Sequence, residues 1–437
     1  MQKKIIALAI AAAASGAALA QSNVTVYGIA DASFENVRGS GGNGVAAEAA
    51  STNSIASRQR VASNASYIGF KGTEDLGNGL KAVFQFENEL DISGTTGNSR
   101  ANALASRDTF VGATGGFGTV IAGWLSSPHR STAAKYDLMP GAAGTGGALN
   151  LIGRVNVGSA FQPLGANGVS TQTFGTQTLG GVTQANNIGV IARHSAIAYV
   201  TPTISGFSGV VAYVANETKD NTSGLAVNTA QRNPSAWNLA LHYDNGPLSL
   251  SYSYLNIKDF GVGVATNTAG TLDLSGKESH AAHLLGAKYT FGNTTISAMY
   301  DHFKGELGDG ANAAFTGDVT LKRNAWYLGA KHTVGKSDFT VAYARVGDNK
   351  VNVGSRAAAE RDAESGAEMY SLRYGYNLSK RTQAYAQYTR LKNDKNASFD
   401  LGVSSTAMTS TTGAVGTGTV FAGTDLSALG VGLRHSF

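Results

Sequence analysis

The chain of 437 residues has no cysteine, only six prolines and few charged residues. Charged residues make up 14% of the sequence, whereas about 25% is typical of a soluble protein. The lack of cysteine excludes a disulfide scaffold and a cysteine-ligated metal centre, and the low proline content excludes a collagen-like chain despite 56 glycines. Beyond the first 20 residues there is also no run of about 18 apolar residues, so the sequence predicts no membrane-spanning helix.

The charge balance argues against a nucleic-acid partner. The formal net charge is +5, and it falls to +3 when Lys3 and Lys4 are left out. Basic residues interleaved with aromatic ones, as in a nucleic-acid groove, do not occur in a run. We therefore expect no nucleic acid to bind.

The first 20 residues have the pattern of an export signal. They begin with two lysines, continue through a short apolar run and end at Ala18-Leu19-Ala20. Small residues at these last positions are typical of a signal-peptidase site. We predict a cleaved signal peptide over residues 1–20 and a single mature domain over residues 21–437, located outside the cytoplasm.

Alternation of apolar and polar residues is the main pattern of the mature chain. Within residues 80–90, Phe84 and Phe86 fall on one face of an extended strand, and Gln85 and Glu87 fall on the other. Later segments repeat this period with tyrosines on the apolar face. Aromatic residues near strand ends are typical of the girdles of a membrane barrel, although a soluble secreted β-protein stays as an alternative at this point.

Short turns and long polar stretches alternate between these segments, and residues 125–190 and 304–322 are two of the long stretches. Counting between them predicts strands near residues 24–35, 63–75, 80–90, 107–114, 118–124, 191–201, 205–216, 235–245, 247–258, 277–291, 293–303, 323–334, 337–347, 366–378, 381–393 and 425–437. The predicted fold is therefore an all-β, 16-stranded antiparallel transmembrane β-barrel with short periplasmic turns and long extracellular loops. A barrel of this size leaves an aqueous lumen.

Several segments resemble the trimeric general-diffusion porins of Gram-negative bacteria, of the betaproteobacterial and neisserial type. The segments that carry the resemblance are Val24-Thr-Val-Tyr-Gly-Ile-Ala-Asp31, Gly69-Phe-Lys-Gly-Thr-Glu-Asp-Leu-Gly-Asn-Gly-Leu-Lys-Ala82, Phe117-Gly-Thr-Val120, Leu378-Ser-Lys-Arg-Thr382 and Gly432-Leu-Arg-His-Ser-Phe437.

The resemblance implies an outer-membrane homotrimer that forms a passive, water-filled channel for small hydrophilic solutes and ions. It implies contacts with outer-membrane lipid and lipopolysaccharide, and insertion by the barrel assembly machinery, with the terminal Phe437 as the assembly signal. It also implies that the third loop, residues 125–190, folds into the barrel as a constriction. No cofactor and no enzymatic activity are expected.

The constriction residues depart in part from the family's pattern of wall arginines. Tyr67 and Trp124 stand where the family has arginine, whereas Lys71 and Arg107 keep basic positions. One interpretation of Tyr67 and Trp124 is an aromatic rim for sugars or aromatic solutes. For Trp124 we favour the other interpretation, an anchor at the membrane interface or against the loop, because strict alternation groups it with Val120 and Ala122.

The predicted third loop carries three basic residues, Arg130, Lys135 and Arg154, and one acid, Asp137. We therefore predict a weakened transverse field and a mild anion preference, because a few charges at the narrowest section decide which ions concentrate there.

Two further arginines, Arg373 and Arg434, alternate with outward apolar residues. They are predicted to line the channel, with a rim or subunit-contact role as the alternative.

Motifs for other chemistry are missing from the sequence. His280 and His283 fall on opposite faces of a strand, so no metal site is predicted there. No metalloprotease, phosphate-loop or nucleophile-elbow motif occurs. The alternatives to a general channel are a substrate-specific channel, a barrel enzyme with a site on its rim, and a secreted adhesin.

Overall fold

The computed structural model describes residues 23–41, 56–93, 104–140, 144–155, 177–179, 182–184, 193–215, 235–258, 279–312, 315–353, 364–395, 397, 399–401 and 423–437. The predicted signal peptide, residues 1–20, lies outside the described residues, as do parts of the predicted third loop.

The described residues are almost entirely β-strand. The strands are β1 (Asn23–Ser40), β2 (Arg58–Ser63), β3 (Tyr67–Gly77), β4 (Leu80–Glu89), β5 (Thr109–Gly115), β6 (Gly118–Ser126), β7 (Gln177–Leu179), β8 (Val182–Gln184), β9 (Arg193–Val200), β10 (Phe207–Val214), β11 (Ser235–Asn245), β12 (Leu248–Lys258), β13 (Ser279–Phe291), β14 (Thr294–Asn312), β15 (Phe315–Val334), β16 (Ser337–Val346), β17 (Lys350–Val353), β18 (Ala367–Asn377), β19 (Thr382–Asn393) and β20 (Asp425–Ser436). One α-helix, α1 (Pro128–Tyr136), and a 3₁₀ helix, Ala148–Asn150, also lie within the described part of the chain. No helix in these ranges is long and apolar enough to cross a membrane.

These strands form a closed antiparallel barrel with sixteen wall positions, as the sequence predicts. β2 and β3 both pair with β1 and share one position, and β16 and β17 both pair with β15 and share another. β7 and β8 form a separate hairpin. The first and last strands close the barrel, with Ile29 opposite Ser436 at one end and Ser40 opposite Asp425 at the other.

Two strand boundaries differ from the sequence prediction. The predicted strand 63–75 is interrupted between β2 and β3, where Ala65 has a φ of 58°. The predicted polar loop over residues 304–322 is wrong, because β14 and β15 continue to pair as far as Asn312 and Phe315. This segment is rich in glycine and polar residues, which led to the prediction of a loop. Its strands project past the membrane, where the outward face no longer needs apolar residues.

Burial follows the alternation along each strand. Large apolar side chains such as Leu328, Leu429 and Val111 are 56%, 59% and 64% exposed and cover the outer surface. Their neighbours in sequence point into the barrel and are mostly polar or small. His280 is buried while its near neighbour His283 packs against the outward Tyr252 and Tyr254, in agreement with the predicted opposite faces.

Candidate functional site

The helix α1 lies inside the barrel against the inner face of β11–β14. The side chain of Ser127 caps it by accepting a hydrogen bond from the backbone N–H of Arg130, and Pro128 occupies the first turn, where its missing N–H costs nothing. The third loop is therefore inserted into the barrel, as predicted.

Tyr136 fixes the end of α1 to the wall. Its side chain is fully buried, and its hydroxyl lies 3.0 Å from Oγ of Ser249 and 2.7 Å from Oγ of Ser251. The ring lies on Gly286, where an added Cβ would come within 2.3 Å of the Tyr136 Cδ2 atom. Glycine at this position is what allows the aromatic ring to reach the strand backbone.

Asp301 on β14 joins the loop to the wall at a second point. Its carboxylate lies 3.1 Å from Nε2 of His129 and 2.8 Å from the guanidinium of Arg323, and it accepts a hydrogen bond from the N–H of Gly153 at 3.2 Å. His129 and Asp301 are fully buried and Arg323 is 2% exposed. This buried network holds both the outgoing and the returning parts of the loop.

The loop then crosses to the opposite wall. Thr145 donates its N–H to Oδ1 of Asn64 at 3.2 Å and its hydroxyl to Oε2 of Glu35 at 3.2 Å. Glu35 also pairs with Arg60 at 3.0 Å, and Gln387 donates to the carbonyl of Thr145 at 2.9 Å. Residues 144–155 and α1 thus contact both sides of the lumen and reduce its open cross-section.

Lys71 and Tyr67 lie on β3, and Arg107, which precedes β5, packs against Tyr67. The Lys71 ammonium lies 4.8 Å from the ring centre of Tyr27, and the Arg107 guanidinium lies 4.6 Å from the ring centre of Tyr67. Arg107 also pairs with Glu87 at 3.1 Å. Glu87 therefore neutralises Arg107, while the Tyr67 ring is covered on one face by the guanidinium.

Arg434 and Arg373 lie on the neighbouring part of the same wall. Arg434 pairs with the fully buried Asp31 at 2.9 Å, and Tyr385 donates its hydroxyl to the same carboxylate at 2.6 Å. The Arg373 guanidinium lies 3.4 Å from the ring centre of Tyr385 and donates to Oε1 of Gln387 at 2.9 Å. Both arginines face the interior, as the alternation of their strands predicts.

Lys135 lies on α1, away from this wall. It pairs with Asp244 at 2.8 Å near the short turn between β11 and β12. Lys288 donates to the backbone carbonyl of Lys135 at 3.1 Å, and its ammonium lies 5.7 Å from the ring centre of Tyr136. Lys288 is an interior cation that the sequence reasoning missed.

Arg130 lies in a group of charges at the loop end of the strands. Arg193, Arg107, Asp108 and Glu89 are its electrostatic neighbours. Asp108 pairs with Arg193 at 3.4 Å. Burial, together with the two nearby guanidiniums, lowers the pKa of Arg130.

Trp124 lies on β6. It pairs across the sheet with Thr109 and Ser195, and it shares a face with Val120, whose side chain is on the outer surface. The strand register therefore places Trp124 on the outer face, so its assignment to the pore lining and to a rim with Tyr67 is wrong. An outward position agrees with an anchor at the membrane interface.

Phe437 lies where the first and last strands meet. Its N–H and carbonyl each form a hydrogen bond with Gly28, at 3.1 and 3.2 Å, and its ring covers Gly28 closely enough that a Cβ there would come within 2.6 Å. Two backbone hydrogen bonds thus fix Phe437 to β1. Its role as an assembly signal stays a prediction.

Asp137 ends α1 and is the acid predicted for the third loop. It accepts hydrogen bonds from the N–H groups of Ala148 and Met139 at 2.8 and 2.9 Å and from the Tyr327 hydroxyl at 3.1 Å. Burial outweighs these bonds and raises the pKa of Asp137 from 3.8 to about 7. Because the folded pKa is the higher one, stability falls as the pH rises from about 4 to about 7, where the unfolded chain has already lost this proton.

This shift predicts a pH-dependent selectivity. Below about pH 7 the protonated Asp137 removes a negative charge from the lumen, so anion preference is expected to be larger at pH 6 than at pH 8. The check is the reversal potential in a salt gradient at both pH values. The reference variant is Asp137→Asn, which has no carboxyl group to titrate at this position. Equal pH dependence in the wild type and in Asp137→Asn would contradict the assignment.

The acidic residues Asp31, Glu35 and Asp301 were also missed as interior groups. Glu87 was placed by the alternation on the polar face of its strand, opposite Phe86, but its pairing with Arg107 was not predicted. Their pairing with arginines depends on cross-strand register and on the path of the loop. Neither can be obtained from the spacing of residues along one strand.

Comparison with known proteins agrees with this architecture. The family model described as Gram-negative porin matches residues 7–396. The chain belongs to the Gram-negative porin family. Outer membrane porin protein 32 of Delftia acidovorans is 32% identical over 443 residues, covering 100% of both chains.

Other porins show the same relationship. The major outer membrane protein P.IB of Neisseria lactamica is 26% identical over 93% of this chain and 98% of its own. Among solved structures, the anion-selective porin from Comamonas acidovorans is 27% identical, with a TM-score of 0.63 over 95% of this chain and 100% of that one. The porin described here is thus an outer-membrane β-barrel, as its sequence predicts.

Proposed function

We propose that this porin forms a passive, mildly anion-selective channel whose narrowest section lies between the inserted third loop and the wall of β1, β3, β18 and β20. The imbalance of unpaired charges in the lumen carries this proposal. Among the described side chains, Lys71, Lys288 and Arg373 have no acidic partner within ion-pair distance, whereas Asp31, Glu87 and Asp301 are each paired with an arginine. Two interior acids, Glu89 and Asp137, also have no ion pair in the described part of the chain, but burial raises the pKa of Asp137 to about 7, so unpaired cations are in excess.

The positions of the unpaired cations support their role in selectivity. Lys71 is exposed and Lys288 is half-buried, so a hydrated anion can approach both. Arg373 is 6% exposed, so it contributes to the electric field in the lumen from a buried position in the wall. The paired Arg107, Arg434 and Lys135 contribute less, because each carries its counter-charge beside it. This excess of unpaired cations agrees with the similarity to a structure described as an anion-selective porin.

Neutralising the unpaired lysines tests the proposal. The double substitution Lys71→Gln and Lys288→Gln is expected to lower the anion-to-cation permeability ratio by about two- to fivefold, because one charge at about 4 Å in a water-like medium is worth about 1 kcal/mol before screening. The measurement is the reversal potential across a planar bilayer in a salt gradient.

The matched control is Lys336→Gln, because Lys336 is exposed in the short turn between β15 and β16 at the end of the barrel, so the permeability ratio is expected to stay unchanged. An unchanged ratio in the double variant places the selectivity elsewhere and overturns the proposal. A water-filled channel is itself tested by the wild-type conductance.

We also infer that three copies of this porin associate and that Phe437 directs insertion by the barrel assembly machinery. Support for the trimer comes from its resemblance to trimeric porins and from the apolar outer face of β20, β1, β3 and β4, where Val431, Val26, Phe70 and Phe86 are exposed. Detergent-resistant oligomers on an unheated gel, lost on heating, test the association.

A further inference from the structure

Two histidines lie side by side on the outer surface of the barrel. His283 on β13 is directly opposite His302 on β14, and their ring centres are 6.3 Å apart. Their strand neighbours Leu284 and Asp301 are fully buried, so both imidazoles face outward. We call His283 and His302 the histidine pair. The spacing of residues along one strand cannot show this pair, because its members come from neighbouring strands.

Each histidine of the pair is held through its Nδ1 atom. Nδ1 of His302 lies 2.6 Å from Oδ1 of Asn324, and Nδ1 of His283 lies 2.8 Å from the hydroxyl of Tyr252. The hydroxyl of Tyr300 also donates to Oδ1 of Asn324, at 3.2 Å. A carbonyl oxygen only accepts, so His302 carries its proton on Nδ1 and a free electron pair on Nε2.

The Nε2 atoms of the histidine pair form no hydrogen bond within the described part of the chain. The Tyr252 hydroxyl can accept from the Nδ1–H of His283, which gives this ring the same tautomer as His302. Metal-binding histidines are usually held in this way, with a partner on one ring nitrogen and the ion on the other. The pair therefore offers two nitrogen ligands from two strands.

The distance between the rings decides whether one ion can bind both. Metal–nitrogen bonds of about 2.1 Å place the centres of two imidazoles on one ion about 4.5–6 Å apart. The observed 6.3 Å lies just above this range. The torsion that turns an imidazole ring is soft, so a small rotation of either ring closes the gap while the two strands stay in register.

The histidine pair lies at the edge of the membrane-facing surface. Tyr300, the outward residue before His302 on β14, packs on Trp326 with ring centres 4.3 Å apart, as in an aromatic girdle. Lys304, the outward residue after His302, pairs with Glu306 at 2.7 Å, and both side chains are about half exposed. This change from aromatic to charged residues places His302 where ions in water can reach it.

We propose that the histidine pair binds one divalent transition-metal ion through its two Nε2 atoms, with water at the remaining positions. Imidazole nitrogen suits copper(II), nickel(II) and zinc(II), and among these copper(II) binds most tightly. The described residues contain no group of three or more histidine, aspartate or glutamate side chains that could hold a metal, so this site depends on two ligands.

A bound ion would connect β13 to β14 on the outside of the barrel. Because it binds the folded chain and not the separated strands, it would stabilise the barrel. This inference concerns the outer surface and is independent of ion selectivity in the lumen.

The test uses the full-length, untagged porin in a non-ionic detergent, titrated with copper(II) alone. Calorimetry gives the affinity, and electron paramagnetic resonance gives the number of nitrogen ligands. The wild type is expected to bind one ion per chain through two nitrogens. His302→Gln is expected to leave one nitrogen. Asn324→Leu keeps both ligands but removes the acceptor on Nδ1, so it is expected to weaken binding about tenfold.

His332→Gln is the matched control. His332 also faces outward, on β15, and its Nδ1 lies 2.8 Å from Oγ1 of Thr294. The residues opposite it are Thr294 and Phe339 rather than a second histidine. Its affinity for copper(II) is therefore expected to equal that of the wild type. Heat-modifiable gel mobility shows whether each variant is folded.

Two results would overturn the proposal. The first is equal affinity for copper(II) in the wild type and in the folded double variant His283→Gln and His302→Gln. The second is a wild-type spectrum with a single nitrogen ligand, which would mean that separate histidines bind the ion.

Discussion

Replacing Asp301 with asparagine is expected to loosen the third loop and to destabilise the barrel by about 3–5 kcal/mol, because Arg323 is then left as a buried charge without a partner. The amide keeps the volume of the side chain but cannot neutralise the guanidinium. His129 and the N–H of Gly153 lose the same acceptor charge. Loss of these contacts should release both ends of the loop segment inside the barrel.

Two measurements check this result. The temperature at which the folded barrel shifts to its unfolded gel mobility should fall, and single-channel recordings should show a larger and noisier conductance. Glu306→Gln is the control, since this acid lies on the same strand but is exposed and pairs with a surface lysine. Conductance and stability equal to those of the wild type would mean that the network does not hold the loop.

A second large effect is expected from Gly286→Val. A Cβ at this position would lie 2.3 Å from the Tyr136 ring, so the valine and the aromatic ring cannot occupy their sites together. The strand cannot move, because it is bonded to β12 and β14 on either side. The end of α1 should therefore leave the wall, at a cost of about 1–3 kcal/mol for overpacking.

The expected readout is an altered conductance together with faster chemical labelling of a cysteine placed at Ala134, an exposed position on α1. Ala287→Val is the matched control, because it places a valine at the next residue, whose side chain faces the membrane. If the cysteine is labelled at the same rate in Gly286→Val and in Ala287→Val, the contact between Gly286 and Tyr136 does not hold α1 against the wall.

The sequence contains most of the information for the barrel wall. Lipid on the outside requires apolar side chains at every second residue, so segments such as β12 and β18 are visible from Tyr252 or Tyr374 and their polar neighbours. The same requirement ends at the membrane surface. The upper part of the β14–β15 hairpin was therefore predicted as a loop, although its backbone pairing continues.

The site is less visible in the sequence than the wall. Alternation alone places Lys71, Arg373 and Arg434 inside, and it could have placed Lys288 there as well. It cannot show that Arg107 meets Glu87 or that Asp301 meets His129, because those pairs join residues from different strands or from the loop. These long-range contacts decide which charges stay unpaired. They therefore also determine the electric field that an ion meets in the lumen.

The pairing of β1 with β20 has a consequence for how the molecule is made. Ser40 and Asp425 are partners although 385 residues separate them, and contacts between such distant residues form slowly. Until β20 arrives, one edge of β1 presents open backbone groups that invite pairing with another chain. Productive assembly therefore depends on protecting the growing sheet edge during the longest step of folding, and the wall seals only when the last strand is in place.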